Sequence, residues 1–225
     1  VSTPYGQLVA SHGLSDSHRA ILAAIPRDAH VLDVGCSTGY LAAALGATGC
    51  TVVGVEPDPH AAAAAREHAD TVLEGDIETD ELWPELNEHA PFDAVVCGDV
   101  LEHLRDPWTV LDRLASLLRP GGVAVVSVPN IAHWTSRRSI LAGRFDYADW
   151  GLMDRTHLRF LTRRTAHDLV RGAGLELVDE RPTPAPLPLQ SRIPALGRLV
   201  PAAVERRPEL FALQFVLVGR RPAAG

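Results

Sequence analysis

Apolar positions along the chain change their period in a regular alternation. Val31-Leu32-Asp33-Val34 is a compact apolar run that enters Gly35-Cys36-Ser37-Thr38-Gly39, after which Tyr40 to Leu45 reads as helix. Thr51 to Val55 predicts a second strand, ending in Glu56-Pro57-Asp58. The Ala-rich stretch from His60 to His68 is a strong helix former. Thr71 to Leu73 predicts a short strand running into Gly75-Asp76. Phe92 to Cys97 predicts a fourth strand, Pro107 to Leu118 a helix, and Val123 to Val128 a fifth strand after the turn Arg119-Pro120-Gly121-Gly122. A helix at about Arg164 to Ala173 precedes strands at Leu175 to Asp179 and Leu210 to Val218. Near the start, Ser17 to Ile25 places Ala20, Ile21, Ala24 and Ile25 on one helical face, and Pro26 stops it. Continuously apolar strands alternating with helices predict an α/β fold whose sheet is covered on both faces.

Two segments break this rhythm. Residues 130–160 carry Trp134, Arg137, Arg138, Arg144, Trp150, Arg155, His157 and Arg159, too many aromatics and arginines for a plain connection. They are expected to form a structured cap over the substrate. Residues 181–208 hold seven prolines, a composition that favours an extended surface excursion. With residues 1–25 as an N-terminal helical segment, the chain reads as one domain over 1–225.

The length of 225 residues suffices for a sizeable core without disulfides. Cys36, Cys50 and Cys97 have neither the spacing of a metal knuckle nor that of a secreted framework, and no apolar run spans a membrane. Val1 to Gly13 lacks the start of a signal peptide, so a cytoplasmic setting is expected. The net charge of −7, with no lysine at all, argues against nucleic acid as a partner. The expected partner is a small molecule, and the chain is expected to be a monomer or homodimer.

The glycine turn lies where an α/β sheet binds its ligand, at the carboxyl end of the first strand. It lacks the G-x-G-x-x-G dinucleotide fingerprint and the lysine of a phosphate loop. Asp33 inside the turn disfavours a diphosphate and favours an ammonium. Glu56 and Asp76 follow the second and third strands, so three acids line up after three strands. Glu56 stands where an acid grips ribose hydroxyls.

The motif Val31 to Gly39, with Val53-Gly54-Val55-Glu56-Pro57-Asp58, Gly75-Asp76-Ile77, Phe92 through Leu104, and Leu118-Arg119-Pro120-Gly121-Gly122, resembles the class I S-adenosylmethionine-dependent methyltransferases in content and order. The resemblance implies a Rossmann-like, doubly wound, seven-stranded sheet, mostly parallel with an antiparallel last strand, and a cap inserted after the fifth strand. It implies that S-adenosylmethionine is the methyl donor. Asp33, Gly35, Cys36, Ser37, Gly39, Cys97 and Gly98 would hold its methionine part, Glu56 and Pro57 its ribose, and Asp76 and Ile77 its adenine. Ser37 stands where the family commonly has glycine.

The downstream half is similar to a bacterial subgroup acting mostly on small molecules, including sugar-linked and specialised metabolites. Transfer to an oxygen (hydroxyl or carboxylate) is the first expectation, and N-methylation of a small amine the alternative. A nicotinamide-dependent oxidoreductase is disfavoured by the missing fingerprint, and a non-catalytic binding protein by the intact motifs. His157 is the first candidate for the base and His133 the second, because an alcohol or ammonium acceptor must lose a proton. Arg144, Tyr147, Arg155 and Arg159 are expected to hold the acceptor; Arg155 and Arg159 suit a carboxylate or phosphate, or else pair with cap acids such as Asp149. No metal is expected. The alternative is a hard-cation site on Asp99, Glu102 and His103, completed by His157 or His133.

Overall fold

The computed structural model describes residues 13–184 and 201–223. A seven-stranded sheet runs in the order β3-β2-β1-β4-β5-β7-β6. Its strands are β1 (His30–Val34), β2 (Thr51–Glu56), β3 (Thr71–Glu74), β4 (Phe92–Gly98), β5 (Leu118–Pro129), β6 (Glu176–Pro184) and β7 (Ala212–Arg220). The first five pair in parallel, whereas β7 lies antiparallel between β5 and β6. The Rossmann-like topology expected from the motifs is the one observed.

Neighbouring strand residues point to opposite faces and build two cores. Val31, Val52 and Val96 pack with Ile21 of α1 (Asp16–Leu22) and with Leu41 and Leu45 of α2 (Tyr40–Gly46). On the other face Leu32, Val53 and Val95 pack with Leu86, Leu111, Leu114, Leu169 and Val170. Those residues come from α4 (Trp83–His89), α5 (Pro107–Ser116) and α7 (Arg163–Gly172). Helix α3 (Pro59–Ala65) buries only alanines, Ala61, Ala62 and Ala65, so it can lie close against the glycine turn.

Several boundaries differ from the sequence reading. Residues 119–122 are a bulge inside β5, because pairing with β4 jumps from Phe92–Leu118 to Ala94–Val123. Main-chain bonds between Arg221 and both Gly121 and Gly122 hold that bulge. Helix α4 went unread because its face is short and mostly polar. Residues 181–184, placed by composition in the proline-rich excursion, continue β6. An edge strand tolerates Pro182 and Pro184 because its outer side needs no amide donor. Residues 201–206 of that excursion are helical, whereas residues 185–200, like 1–12 of the N-terminal segment, lie outside the described residues. The cap contains α6 (Trp134–Leu141), and an isolated bridge joins Asn130 to Leu161 at its base. No helix among the described residues is long and apolar enough to cross a membrane.

Candidate active site

A cavity of about 550 Å³ opens at the carboxyl ends of β1, β2 and β4. Gly35, Ser37, Glu56, Pro57, Asp76, Ile77 and Gly98 of the expected donor site line it, joined by Tyr40, Asp99, Val100, His103, Leu104 and Thr156 among others. The sequence reading missed Tyr40, Val100, Leu104 and Thr156. The first three follow directly on the recognised motifs or belong to them, whereas Thr156 arrives from the cap. The lining carries the carboxylates of Glu56, Asp76 and Asp99 and no arginine. Such a wall suits hydroxyls and cationic groups and would repel a diphosphate.

Backbone conformation shapes the turn at its base. Gly35 has φ +68° and Gly39 φ +79°, where a side chain is strained. A Cβ on Gly39 would also sit 2.9 Å from the Ala65 backbone, and one on Gly35 would sit 2.6 Å from Val100 Cγ2. Ser37, at the position where glycine is usual, adopts φ +51°. The amides of Gly35 and Cys36 both donate to the Val55 carbonyl, at 2.8 and 3.0 Å, tying the turn to β2.

Glu56 is buried and braced at both oxygens. Oε2 accepts from the Ser37 amide at 2.8 Å and Oε1 from the Asp58 amide at 3.0 Å. Burial raises its pKa, against the lowering effect of these two bonds. Each oxygen retains acceptor capacity for a ligand hydroxyl. Asp76 Oδ1 accepts from the Glu78 amide at 2.9 Å, and Ile77 is buried beside it.

Four expected donor-site residues are not in the lining: Asp33, Cys36, Gly39 and Cys97. Asp33 is sealed beneath the turn, and its Oδ2 has no hydrogen-bond partner. Burial, aided by the Glu56 charge, pushes its carboxyl up to about 7. A buried orphan oxygen beside a carboxylate-lined cavity fits a cationic ligand, so the residues present are suited to S-adenosylmethionine. The Cys36 thiol sits in the space a Cβ on Gly54 would need, 2.6 Å away, and Cys97 is wholly buried. Burial raises both thiols.

At the opposite end, the cap brings His157 against His103, ring centroids 4.8 Å apart and edge-on. His157 is buried, and its pKa is lowered by desolvation first and then by His103. His133 caps α6 instead: its Nδ1 lies 2.7 Å from Thr135 Oγ1 and accepts from the Thr135 amide. It is buried outside the cavity lining. Arg155 pairs with Asp149 at 2.7 Å on the surface. Arg159 reaches the Arg105 carbonyl and the Trp108 ring, 5.7 Å from the guanidinium carbon to the ring centroid, and its Nε is buried without a partner. Tyr147 is exposed and meets Phe145 edge-on, and Arg144 is exposed. Asp99, at φ +56°, accepts at Oδ1 from Ser127 Oγ and Gln214 Nε2 at 2.7 and 2.8 Å. Gln214 was not singled out from the sequence, because it lies far off in β7.

Residues 9–180 match a family model described as a methyltransferase domain. The ubiquinone biosynthesis O-methyltransferase of Xylella fastidiosa (strain 9a5c) is 39% identical over 107 residues, covering 45% of this chain and 42% of that protein. The chain thus aligns with less than half the length of that relative. A solved S-adenosylmethionine-dependent methyltransferase from Thermotoga maritima superposes with a TM-score of 0.66 at 18% identity, covering 96% of this chain and 94% of its own. The 1,6-didemethyltoxoflavin-N1-methyltransferase of Burkholderia thailandensis, solved with S-adenosylhomocysteine, gives 0.60 at 20% identity, covering 97% of this chain and 83% of its own. Matched along most of its length, the chain belongs to the methyltransferase-domain family.

Proposed function

We propose that the protein methylates a hydroxyl oxygen of a small molecule. The observation that carries this reading is the union of two half-sites in one cavity. Glu56, Asp76 and the glycine turn form the donor end, and His103 and Thr156 close the acceptor end. The donor supplies an electrophilic methyl group on sulfur. Gly35 and Ser37, with the Asp33 carboxyl beneath the turn, would hold its amino-acid part, Glu56 its ribose hydroxyls and Asp76 with Ile77 its adenine. Positioning in a site shielded from water then accounts for most of the acceleration.

A hydroxyl acceptor also needs a group to deal with its proton, and His157, directly behind His103, has that role. The name of the O-methyltransferase relative supports oxygen over nitrogen. Exposed Arg144, Tyr147 and Arg155 lie on the cap, where an acidic or aromatic part of an acceptor would be met. Specialised and sugar-linked alcohols are the first compounds to examine. Incubating the protein with S-adenosylmethionine and a panel of small alcohols, phenols, carboxylic acids and amines, with mass spectrometry of the products, tests the reading. Methylated alcohols or phenols are expected; methylation confined to amines would overturn the oxygen assignment.

A further inference from the structure

Three carboxylates line the cavity, and the donor accounts for two of them, Glu56 at its ribose and Asp76 at its adenine. Asp99 is left over. It follows β4 directly, and its charge acts on His157 in the cap and on Glu102 in the turn beside it. Asp99 therefore belongs to the acceptor end of the cavity, with His103 and Thr156. The donor's own ammonium has a nearer acid in Asp33 beneath the glycine turn, whose Oδ2 is unpartnered.

The two oxygens of Asp99 have different surroundings. Oδ1 accepts from Ser127 Oγ of β5 at 2.7 Å and from Gln214 Nε2 of β7 at 2.8 Å, and the Asp99 amide donates to the Ser127 carbonyl at 3.2 Å. Oδ2 takes no hydrogen bond from the described residues, and unlike the orphan oxygens of Asp33 and Glu102 it is not sealed from solvent. It is an open acceptor on a residue of the cavity wall. The sheet thus fixes the carboxylate with two neutral donors and leaves its charge without a counterion. None of the ion pairs among the described residues uses Asp99, the lining holds no arginine and the chain has no lysine. The imidazoles of His18 and His157 feel its charge, but burial lowers the pKa of both and favours their neutral forms. A partly buried carboxylate in that state is a seat for a cation.

We propose that Asp99 selects acceptors that carry an ammonium group as well as the hydroxyl to be methylated, the class of amino alcohols, aminophenols and amino sugars. Oδ2 accepts a hydrogen bond from the ammonium, while Oδ1 stays with Ser127 and Gln214. Inside the cavity an acidic acceptor would face Glu56, Asp76 and Asp99 with no cation between them. The arginines expected from the sequence to hold an anion do not change this. Arg155 pairs with Asp149 on the surface, Arg159 is directed at the Arg105 carbonyl, and neither lines the cavity.

The proposal rests on the oxygen reading above and adds the charge of the acceptor to it. It also gives a reason for oxygen over nitrogen in a molecule that offers both. A carboxylate beside an amine favours its protonated form. A nitrogen held as ammonium has no lone pair with which to attack a methyl group. The contact that binds the amine therefore leaves the hydroxyl, whose proton goes to His157, as the nucleophile.

The test gives the full chain S-adenosylmethionine and two matched trios: tyramine, 4-ethylphenol and 4-hydroxyphenylacetate, then glucosamine, glucose and glucuronate. Within each trio the scaffold is shared and the charge differs. In at least one trio the amine is expected to have a kcat/KM about tenfold or more above the other two, with the new methyl group on oxygen. Calorimetry of each trio on the chain loaded with S-adenosylhomocysteine should give the same order without turnover. Asp99→Asn suits the same φ of +56°, keeps an oxygen for Ser127 and Gln214, and puts the Nδ2 donor in place of Oδ2. It should cut the amine's advantage over the neutral compound by about tenfold or more, through KM more than kcat. S-adenosylmethionine binding by the variant reports that it is folded. No preference for the amine in either trio, by turnover or by binding, or a preference that Asp99→Asn leaves intact, would overturn the proposal. Methylation on nitrogen, with the preference lost in Asp99→Asn, would instead overturn the oxygen reading.

Discussion

The Ser37 amide donates to Glu56 Oε2 across 2.8 Å, so the residue that ends β2 also closes the turn after β1. Glu56 therefore both shapes the turn and lines the cavity. Glu56→Ala is expected to weaken S-adenosylmethionine binding by about 1–3 kcal/mol, the cost of charged hydrogen bonds left unmade. Calorimetry checks this. An unchanged dissociation constant in a folded variant would show that Glu56 takes no part in donor binding.

Gly39→Ala should be more disruptive than its single methyl suggests. The added Cβ meets backbone of α3 at 2.9 Å and sits at φ +79°, so neither the neighbour nor the turn can give way cheaply. A loss of about 1–3 kcal/mol of stability is expected, with weaker donor binding. Urea unfolding of the variant measures it. Gly143→Ala is the comparison, since it shares a positive φ of 72° but has open space around its Cβ. Equal losses in the two would refute the packing component.

Asp33 gives the fold a specific pH dependence. Its carboxyl is raised to about 7 by burial, whereas in the unfolded chain it ionises near pH 4. Between about pH 4 and 7 the unfolded chain releases a proton that the folded chain keeps, so Asp33's contribution to stability falls as pH rises through this window. Asp33→Asn removes that titration. The stability difference between wild type and variant should therefore slope across the window; a constant difference would contradict the assignment.

The sheet was legible because its strands are apolar throughout and each ends in chemistry: Asp33 and the glycines, Glu56, Asp76. Those residues are local in sequence, and the structure puts Glu56 and Asp76 in one wall. The acceptor end was less legible because it is assembled from distant pieces. Thr156 reaches the cavity from the cap, and Gln214 of β7 bonds Asp99 across 115 residues. Spacing alone grouped Asp99 with Glu102 and His103, but Asp99 Oδ1 is engaged by Ser127 and Gln214 while His157 joins the cluster. His133 was the second candidate after His157, and only the helix that begins after it reveals its capping bonds.

His157→Ala should lower turnover by about 10²–10⁴-fold, the usual worth of assisting removal of a proton. The acceptor found by product mass provides the assay. Donor affinity should change little, because His157 is outside the lining that holds Glu56 and Asp76. Wild-type turnover in the variant would remove His157 from the reaction.

The central claim is that the carboxylate-lined cavity holds the sulfonium donor. Calorimetric titration of the intact chain with S-adenosylmethionine, S-adenosylhomocysteine and a nicotinamide dinucleotide tests it most directly. One-site binding of the first two and none of the third is the predicted result; heat from the dinucleotide and none from S-adenosylmethionine would contradict it.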